Sequence, residues 1–148
     1  PRQIVVELTE RTAVADYARL AAALAPLRSA GLRIAIDDVG AGFSSMRHIL
    51  KLNPELIKLD RTLVAGIDKD PNQSALCAAM VSFSSQIGAH LVAEGIETPA
   101  ELTVLTDLGV KAGQGYLVGR PSVLSADWSH WRRPKHSSPS GDAQSHVT

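Results

Sequence analysis

The 148-residue sequence predicts an α/β fold in which five parallel strands alternate with helices. Five short apolar runs are separated by stretches with helical periodicity, which is the pattern of parallel β/α units. Each run ends at a charged or amide side chain. The C-terminal ends of parallel strands gather at one face, where such folds place their sites. The residues that end the runs are Glu7, Asp37 with Asp38, Lys58, Glu94 and Gln114.

The first two strands are separated by one amphipathic helix. The first apolar run ends at Glu7, and residues 12–30 follow as a helix whose leucines share one face. Gly31 is placed to end this helix, and Pro26 is expected to end its regular part early. The second strand is predicted over residues 32–37.

A glycine-containing loop and a short helix lead to the third strand. The two glycines within residues 38–43 permit backbone conformations that other residues adopt rarely. A helix is predicted over residues 44–52, and Asn53 with Pro54 ends it. Residues 56–59 form the third strand.

The last two strands are each preceded by a helix. Residues 72–86 are predicted as a helix and residues 90–93 as the fourth strand. Thr98 and Glu101 form a capping box that starts the next helix. The fifth strand is predicted near residues 111–114.

The length of the chain limits how these units are arranged. A closed (β/α)8 barrel needs roughly 200–250 residues. The sequence therefore predicts either the C-terminal five strands of a TIM-like (β/α) barrel or an open five-stranded sheet. A start without Met that enters a strand almost at once predicts a piece of a longer protein. Residues 1–134 are expected to form this partial domain, and the Ser-, Pro- and Gly-rich residues 135–148 to be disordered.

Composition and charge exclude several classes of partner. Fifteen basic and 15 acidic residues give zero formal net charge, so no overall field favours polymeric nucleic acid or an anionic membrane. No apolar run approaches the ~18 residues of a membrane span. We expect a cytoplasmic location, because no signal peptide is recognisable and the single Cys77 suits a reducing compartment.

The Asp37-Asp38 pair is the first candidate for a metal site. Adjacent carboxylates at a strand end repel each other unless a cation lies between them. Hard oxygen ligands of this kind suit Mg²⁺ or Mn²⁺. The alternative is that Asp38 caps the following turn while Asp37 alone faces the site.

Lys58 lies inside an apolar strand, where a lysine rarely lacks an anionic partner. Its ammonium would contact a phosphate or a metal-bound water, or else form a structural ion pair with Asp37 or Glu94. Arg61, shortly after it, is either a substrate contact or a surface residue. Gln114 would donate hydrogen bonds to a ligand or close a turn.

Two further carboxylate pairs follow strand ends. Glu7 and Glu10 surround the end of the first strand, and Glu94 and Glu97 the end of the fourth. Glu7 and Glu10 would contribute to the site or remain solvated, or Glu10 would start the following helix. Glu94 is the better candidate of the second pair, since Glu97 can serve the helix that starts after it.

Five motifs, in this order, resemble the C-terminal part of the EAL domain, the bacterial cyclic di-GMP phosphodiesterase. They are ELTE at 7–10, IDDVGAGFSS at 36–45, IKLDR at 57–61, AEGIET at 93–98 and QGYLVGRP at 114–121. The resemblance implies a TIM-like barrel that holds two Mg²⁺ or Mn²⁺ ions. It also implies hydrolysis of cyclic di-GMP to linear pGpG by a metal-bridging water.

The resemblance assigns a role to each matching residue. It implies metal ligation by Glu7, Asp37, Asp38 and Glu94, and catalytic roles for Lys58, Glu94 and Gln114. It implies substrate binding by Gln114 and Arg61, with Glu10 and Glu97 as supporting glutamates. It further implies a homodimer formed through the loop from Asp38 to Phe43.

Two departures from the family pattern bear on activity. The Glu-Ala-Leu strand and a further Asn ligand are not among these 148 residues, so we expect the chain alone to self-associate and to have little activity. Val39, Ala41 and Phe43 stand where the family usually has Phe, Thr and Tyr. A catalytically inactive module that binds cyclic di-GMP or a partner is therefore the alternative, and an enolase-like barrel enzyme is a third.

Overall fold

Five parallel strands lie side by side in the order in which they occur in the chain. The computed structural model describes residues 4–9, 11–40 and 44–124. The strands are β1 (Val5–Thr9), β2 (Arg33–Val39), β3 (Leu56–Leu59), β4 (His90–Ala93) and β5 (Ala112–Gly113). A doubly wound sheet reverses its strand order at a switch point, whereas a barrel keeps chain order. The sheet therefore has the strand order of a barrel segment.

Within the described part of the chain, five helices connect these strands. They are α1 (Tyr17–Ser29), α2 (Ser44–Leu52), α3 (Arg61–Val64), α4 (Pro71–Gln86) and α5 (Pro99–Asp107). Crossovers between parallel neighbours have one preferred hand, so strands in chain order place their helices on the same face of the sheet. In the described residues, no helix has the length and apolar character needed to cross a membrane.

The predicted elements are present, with three differences. Helix α1 begins at Tyr17 because the Asp16 side chain caps it, and it continues through Pro26, whose carbonyl still accepts from Ala30 N at 3.1 Å. Strand β2 extends to Val39 and so includes both aspartates. The short helix α3 was not predicted. The domain boundary at residue 134 lies outside the described residues and stays a prediction.

The core lies between the sheet and the helices. Helix α2 packs on β2 and α4 packs on β4. The largest fully buried apolar side chains come from strands, helices and loops alike, namely Ile34, Ile36, Ile49, Ile57, Leu59, Ile67, Ile96 and Leu105. The buried interiors of β2 and β3 explain why their sequences read as continuous apolar runs.

An ion pair holds the N-terminal end of the sheet together. Arg28 Nε donates to Glu55 Oε1 at 3.0 Å, and Ile34 N donates to Glu55 Oε2 at 2.7 Å. Arg28 also donates to the carbonyls of Leu52 and Asn53, at 2.9 and 2.8 Å. Burial would raise the pKa of Glu55, but the Ile34 N–H and Arg28 outweigh burial and lower the pKa below 4.5. The charged form of Glu55 therefore stabilises the fold.

The Glu55→Gln variant should lose about 1 kcal/mol of unfolding free energy at pH 7. A carboxylate whose folded-state pKa is lowered gives its full stabilisation above its ordinary pKa of 4.5 and loses it as the pH falls through the folded-state value. The stability gap between wild type and variant should thus narrow below pH 4.5. Urea unfolding at successive pH values measures the gap, and a constant gap would contradict this account of Glu55.

Candidate metal and phosphate site

A β-bulge turns both aspartates of β2 toward the same place. Ile36 pairs with Ile57 and Val39 pairs with Leu59, so two residues of β2 stand opposite Lys58 alone. Asp38 has a φ of 57°, in the left-handed region. Adjacent residues of a regular strand face opposite sides, but an extra residue in a bulge re-aims a side chain. Carboxylate oxygens of Asp37, Asp38 and Glu94 consequently lie within 4.8 Å of one another.

The Lys58 ammonium lies among three carboxylates. Its Nζ is 2.8 Å from Glu94 Oε1, 2.9 Å from Asp37 Oδ1 and 3.2 Å from Glu7 Oε1. Burial alone would lower the pKa of Lys58, but the hydrogen bonds to Glu94, Asp37 and Glu7 outweigh burial and raise the pKa well above its ordinary value. The two ion pairs that the sequence offered as alternatives, with Asp37 and with Glu94, are both formed.

Glu94 is held from two sides. Gln114 Nε2 donates to Glu94 Oε1 at 2.6 Å, and Lys58 contacts the same oxygen. Burial raises the pKa of Glu94, Lys58 acts against this, and the charges of Asp37 and Asp38 raise it further. The polar ends of β3, β4 and β5 thus meet at one point, as the sequence predicted.

The oxygens present fit a hard divalent cation. Asp37 Oδ1 is buried and, apart from its ion pair with Lys58, has no hydrogen-bond partner in the described residues. Three carboxylate oxygens this close together match the ligands that Mg²⁺ and Mn²⁺ prefer. The Glu7 side chain is 46% exposed and contacts Lys58, but it is outside this group of three. Glu10 lies outside the described residues.

Arg61 and Glu97 lie beside this cluster. Arg61 Nη2 is 3.0 Å from Glu97 Oε1, and both side chains are substantially exposed. They line a cavity of about 600 Å³ together with Gln114 and Tyr116. Glu97 is thus a partner of Arg61 and does not belong to the described group of clustered carboxylates.

The loops after β4 and β5 touch through their backbones. Ile96 N donates to Gln114 O at 3.1 Å, and Leu117 N donates to Ile96 O at 3.0 Å. A Cβ atom on Gly115 would lie 2.2 Å from both the N and the O of Ile96. Only glycine allows this approach, which places Gln114 next to Glu94.

Sequence reasoning missed one buried charge near these loops. Glu101 was assigned only to the capping box, which the structure confirms. Its side chain is buried, and it also accepts a hydrogen bond from Gly66 N at 2.9 Å. A glutamate at a position that the helix periodicity places inward is the signal that would have drawn attention to it.

Comparison with known proteins identifies the family. The model of the EAL domain family matches residues 1–121. The chain is 36% identical over 121 residues to the bifunctional diguanylate cyclase/cyclic di-GMP phosphodiesterase MucR of Pseudomonas aeruginosa, a match that covers 82% of this chain and 18% of that protein. The chain therefore belongs to the EAL domain family.

Solved structures agree with this assignment. The EAL domain of Mycobacterium smegmatis DcpA superposes with a TM-score of 0.74 at 32% identity, over 79% of this chain and 52% of that one. BlrP1 of Klebsiella pneumoniae, in a complex with manganese and cy-diGMP, superposes with a TM-score of 0.74 at 35% identity, over 81% of this chain and 31% of that one. The chain thus spans about half of the DcpA chain, and the prediction of a TIM-like β/α fold is confirmed.

The Lys58→Met variant should lose about 3 kcal/mol of unfolding free energy in metal-free buffer, because three carboxylates lose their cation in a largely buried place. Mn²⁺ should restore more stability to the variant than it adds to wild type. Urea unfolding with a chelator and with Mn²⁺ measures both effects. The matched control is Lys51→Met, on the exposed side of α2. Equal losses in the two variants would contradict a charge cluster centred on Lys58.

The Gly115→Ala variant should lose about 2–3 kcal/mol of unfolding free energy, because the added methyl group would collide with the backbone of Ile96. Gly88→Ala is the control, since a Cβ atom there meets nothing within 4 Å, although a φ of 74° adds backbone strain. Thermal unfolding of both variants measures the loss of stability in each, and the difference between the two losses is the effect of the collision with Ile96. A Gly115→Ala protein as stable as the Gly88→Ala protein would contradict the close approach.

Proposed function

We propose that the chain supplies the metal carboxylates, the lysine and the glutamine of a cyclic di-GMP phosphodiesterase that releases linear pGpG. The observation that carries the proposal is the convergence of Asp37, Asp38 and Glu94 around Lys58. Cyclic di-GMP is named in the MucR relative and in the BlrP1 complex, which supports it as the substrate.

Asp37, Asp38 and Glu94 would hold Mg²⁺ or Mn²⁺, with Glu7 at the edge of the site as a further ligand. Bound ions of a two-metal site polarise a phosphodiester and lower the pKa of a water. Among the described contacts of Glu94, both hydrogen-bonding neighbours use Oε1. Oε2 is therefore the oxygen available to face a cation or to receive a proton.

Lys58 acts in this site as a permanent cation. Its raised pKa keeps the ammonium charged at every physiological pH, so it donates hydrogen bonds and does not serve as a base. Its three carboxylate contacts orient Nζ toward the place where water and phosphate would meet. Gln114, fixed by the backbone of Ile96, adds an amide beside Glu94.

Arg61 and Gln114 would contact the substrate in the neighbouring cavity of about 600 Å³. A guanidinium suits a phosphate oxygen because it donates two parallel hydrogen bonds. Arg61 already has its stem packed against Gly95, where a Cβ atom would lie 2.5 Å from Arg61 Cγ. This glycine allows the arginine to lie across the loop that follows Glu94.

Assembly as a homodimer through the loop from Asp38 to Phe43 is part of the proposal. The loop begins at one of the metal carboxylates, so a contact made by it would act directly on Asp38. Met46 and Leu50 on the following helix are 37% and 69% exposed and offer apolar surface for such a contact. Phe43 lies outside the described residues.

A chimeric enzyme tests the activity. Residues 1–121 replace the matching segment of MucR, whose remaining sequence provides the rest of the domain. The chimera with Mn²⁺ should convert cyclic di-GMP to pGpG, measured by chromatography. The Asp37→Asn chimera should lose at least 100-fold in turnover, because one charge fewer weakens metal binding.

The outcomes separate the enzyme from the binding module. A folded chimera that binds cyclic di-GMP without releasing pGpG would favour the inactive module. Wild-type-like turnover by the Asp37→Asn chimera at saturating Mn²⁺ would show that Asp37 is not a metal ligand. Circular dichroism of both chimeras provides the control for folding.

A further inference from the structure

The Glu101 carboxylate joins two loops to helix α5 by accepting three backbone hydrogen bonds. Its Oε1 accepts from Gly66 N at 2.9 Å, in the loop between α3 and α4. Its Oε2 accepts from Glu97 N and Thr98 N, both at 3.0 Å, in the loop between β4 and α5. The side chain is only 6% exposed, so these bonds are made away from solvent.

Both loops follow strands that end in the candidate site. The loop with Gly66 lies after α3, which begins three residues past Lys58. The loop with Glu97 begins directly after Glu94. Glu101 thus connects, on the helix side, the segments that follow Lys58 and Glu94, whose side chains are 2.8 Å apart.

The loop after β4 links Glu101 to the candidate site, because this loop also contacts the segment that carries Gln114. Glu97 follows Ile96, whose N and O both bond to the segment after β5 and place Gln114. On the exposed side the same loop is linked by the Arg61–Glu97 ion pair. An ion pair this exposed contributes little to stability. The hydrogen bonds of the buried Glu101 carboxylate therefore hold the loop more firmly than the ion pair does.

We propose that Glu101 is a positioning residue, which fixes the loop after β4 and thereby holds Glu94 and Gln114 in the geometry that binds a divalent cation. Where it concerns metal affinity, the inference rests on the proposed function. A capping glutamate alone would bond only to its own helix start. The additional bond to Gly66, 35 residues away, is what gives Glu101 this wider role.

Glutamine at this position is a sharp probe because it is nearly the same size. A carboxylate accepts at both oxygens, whereas an amide accepts at one atom and donates at the other. In Glu101→Gln either Gly66 N or the pair Glu97 N and Thr98 N must therefore face a donor. One of the two connections is lost while the packing volume is kept.

The test compares Glu101→Gln with two controls in the 148-residue chain. Thr98→Ala removes the Oγ1 that caps Glu101 N at 3.2 Å but leaves the carboxylate bonds. Glu55→Gln removes a half-buried carboxylate at the other end of the sheet. Mn²⁺ binding is followed by the paramagnetic resonance signal of the free ion. Backbone amide exchange is followed at Glu94 and Ile96, whose N–H groups bond to Leu59 O and Gln114 O and not to Glu101.

Glu101→Gln should weaken Mn²⁺ binding about 10–100-fold, and the two controls should leave it within about 2-fold. It should also accelerate amide exchange at Glu94 and Ile96 at least tenfold. Unchanged Mn²⁺ affinity in Glu101→Gln, or an equal loss in either control, would overturn the inference. If the wild-type chain takes up no Mn²⁺, the proposed metal site fails, and the positioning role is decided by amide exchange alone: faster exchange at Glu94 and Ile96 supports it and unchanged exchange refutes it.

Discussion

The rest of the site depends on one ammonium surrounded by carboxylates. Lys58 lies within ion-pair distance of side chains on β1, on β2 and directly after β4, and these carboxylates would otherwise repel one another. One positive charge cannot balance all of the negative charge gathered there. The cluster therefore remains attractive to a divalent cation while the lysine keeps the fold from being forced apart without one. A protein that must assemble before it is loaded with metal benefits from such a resident cation.

The two ends of the sheet have different roles. At the N-terminal end, Arg28 and Glu55 satisfy each other and several backbone groups, and little charge is left over. At the C-terminal end, Lys58 alone faces the carboxylates of Glu7, Asp37 and Glu94 in the described part of the chain, so negative charge is left over. A network whose charges balance stabilises a fold, whereas a cluster with an excess of negative charge favours the binding of a cation. This division between a stabilising and a functional end is common in β/α barrels.

The sequence predicted the parts of this structure that depend on local rules. Gly31 and the capping box of Thr98 and Glu101 mark helix ends within a few residues of the chain, and the structure has both. The convergence of Lys58 and Glu94 was predictable too, because parallel strands bring their C-terminal ends together.

What could not be predicted depends on longer distances or on backbone torsion. Nothing in the letters Asp-Asp indicates that the second residue takes a φ of 57°, so the shared orientation of the two carboxylates had to be observed. The bond from Gly66 to Glu101 spans 35 residues and depends on how two loops pack. Helix α1 continues through Pro26 because the loss of a single donor is tolerated there, which a rule about proline alone does not reveal.

The left-handed backbone of Asp38 has a consequence for how this domain changes over evolutionary time. A residue other than glycine in that conformation costs about 1 kcal/mol, so glycine there would relax the backbone and favour the folded state. Selection for stability alone would therefore favour glycine at position 38, and this single substitution would remove a carboxylate from the cluster. The aspartate at this position thus gives up some stability of the fold in return for a carboxylate in the cluster.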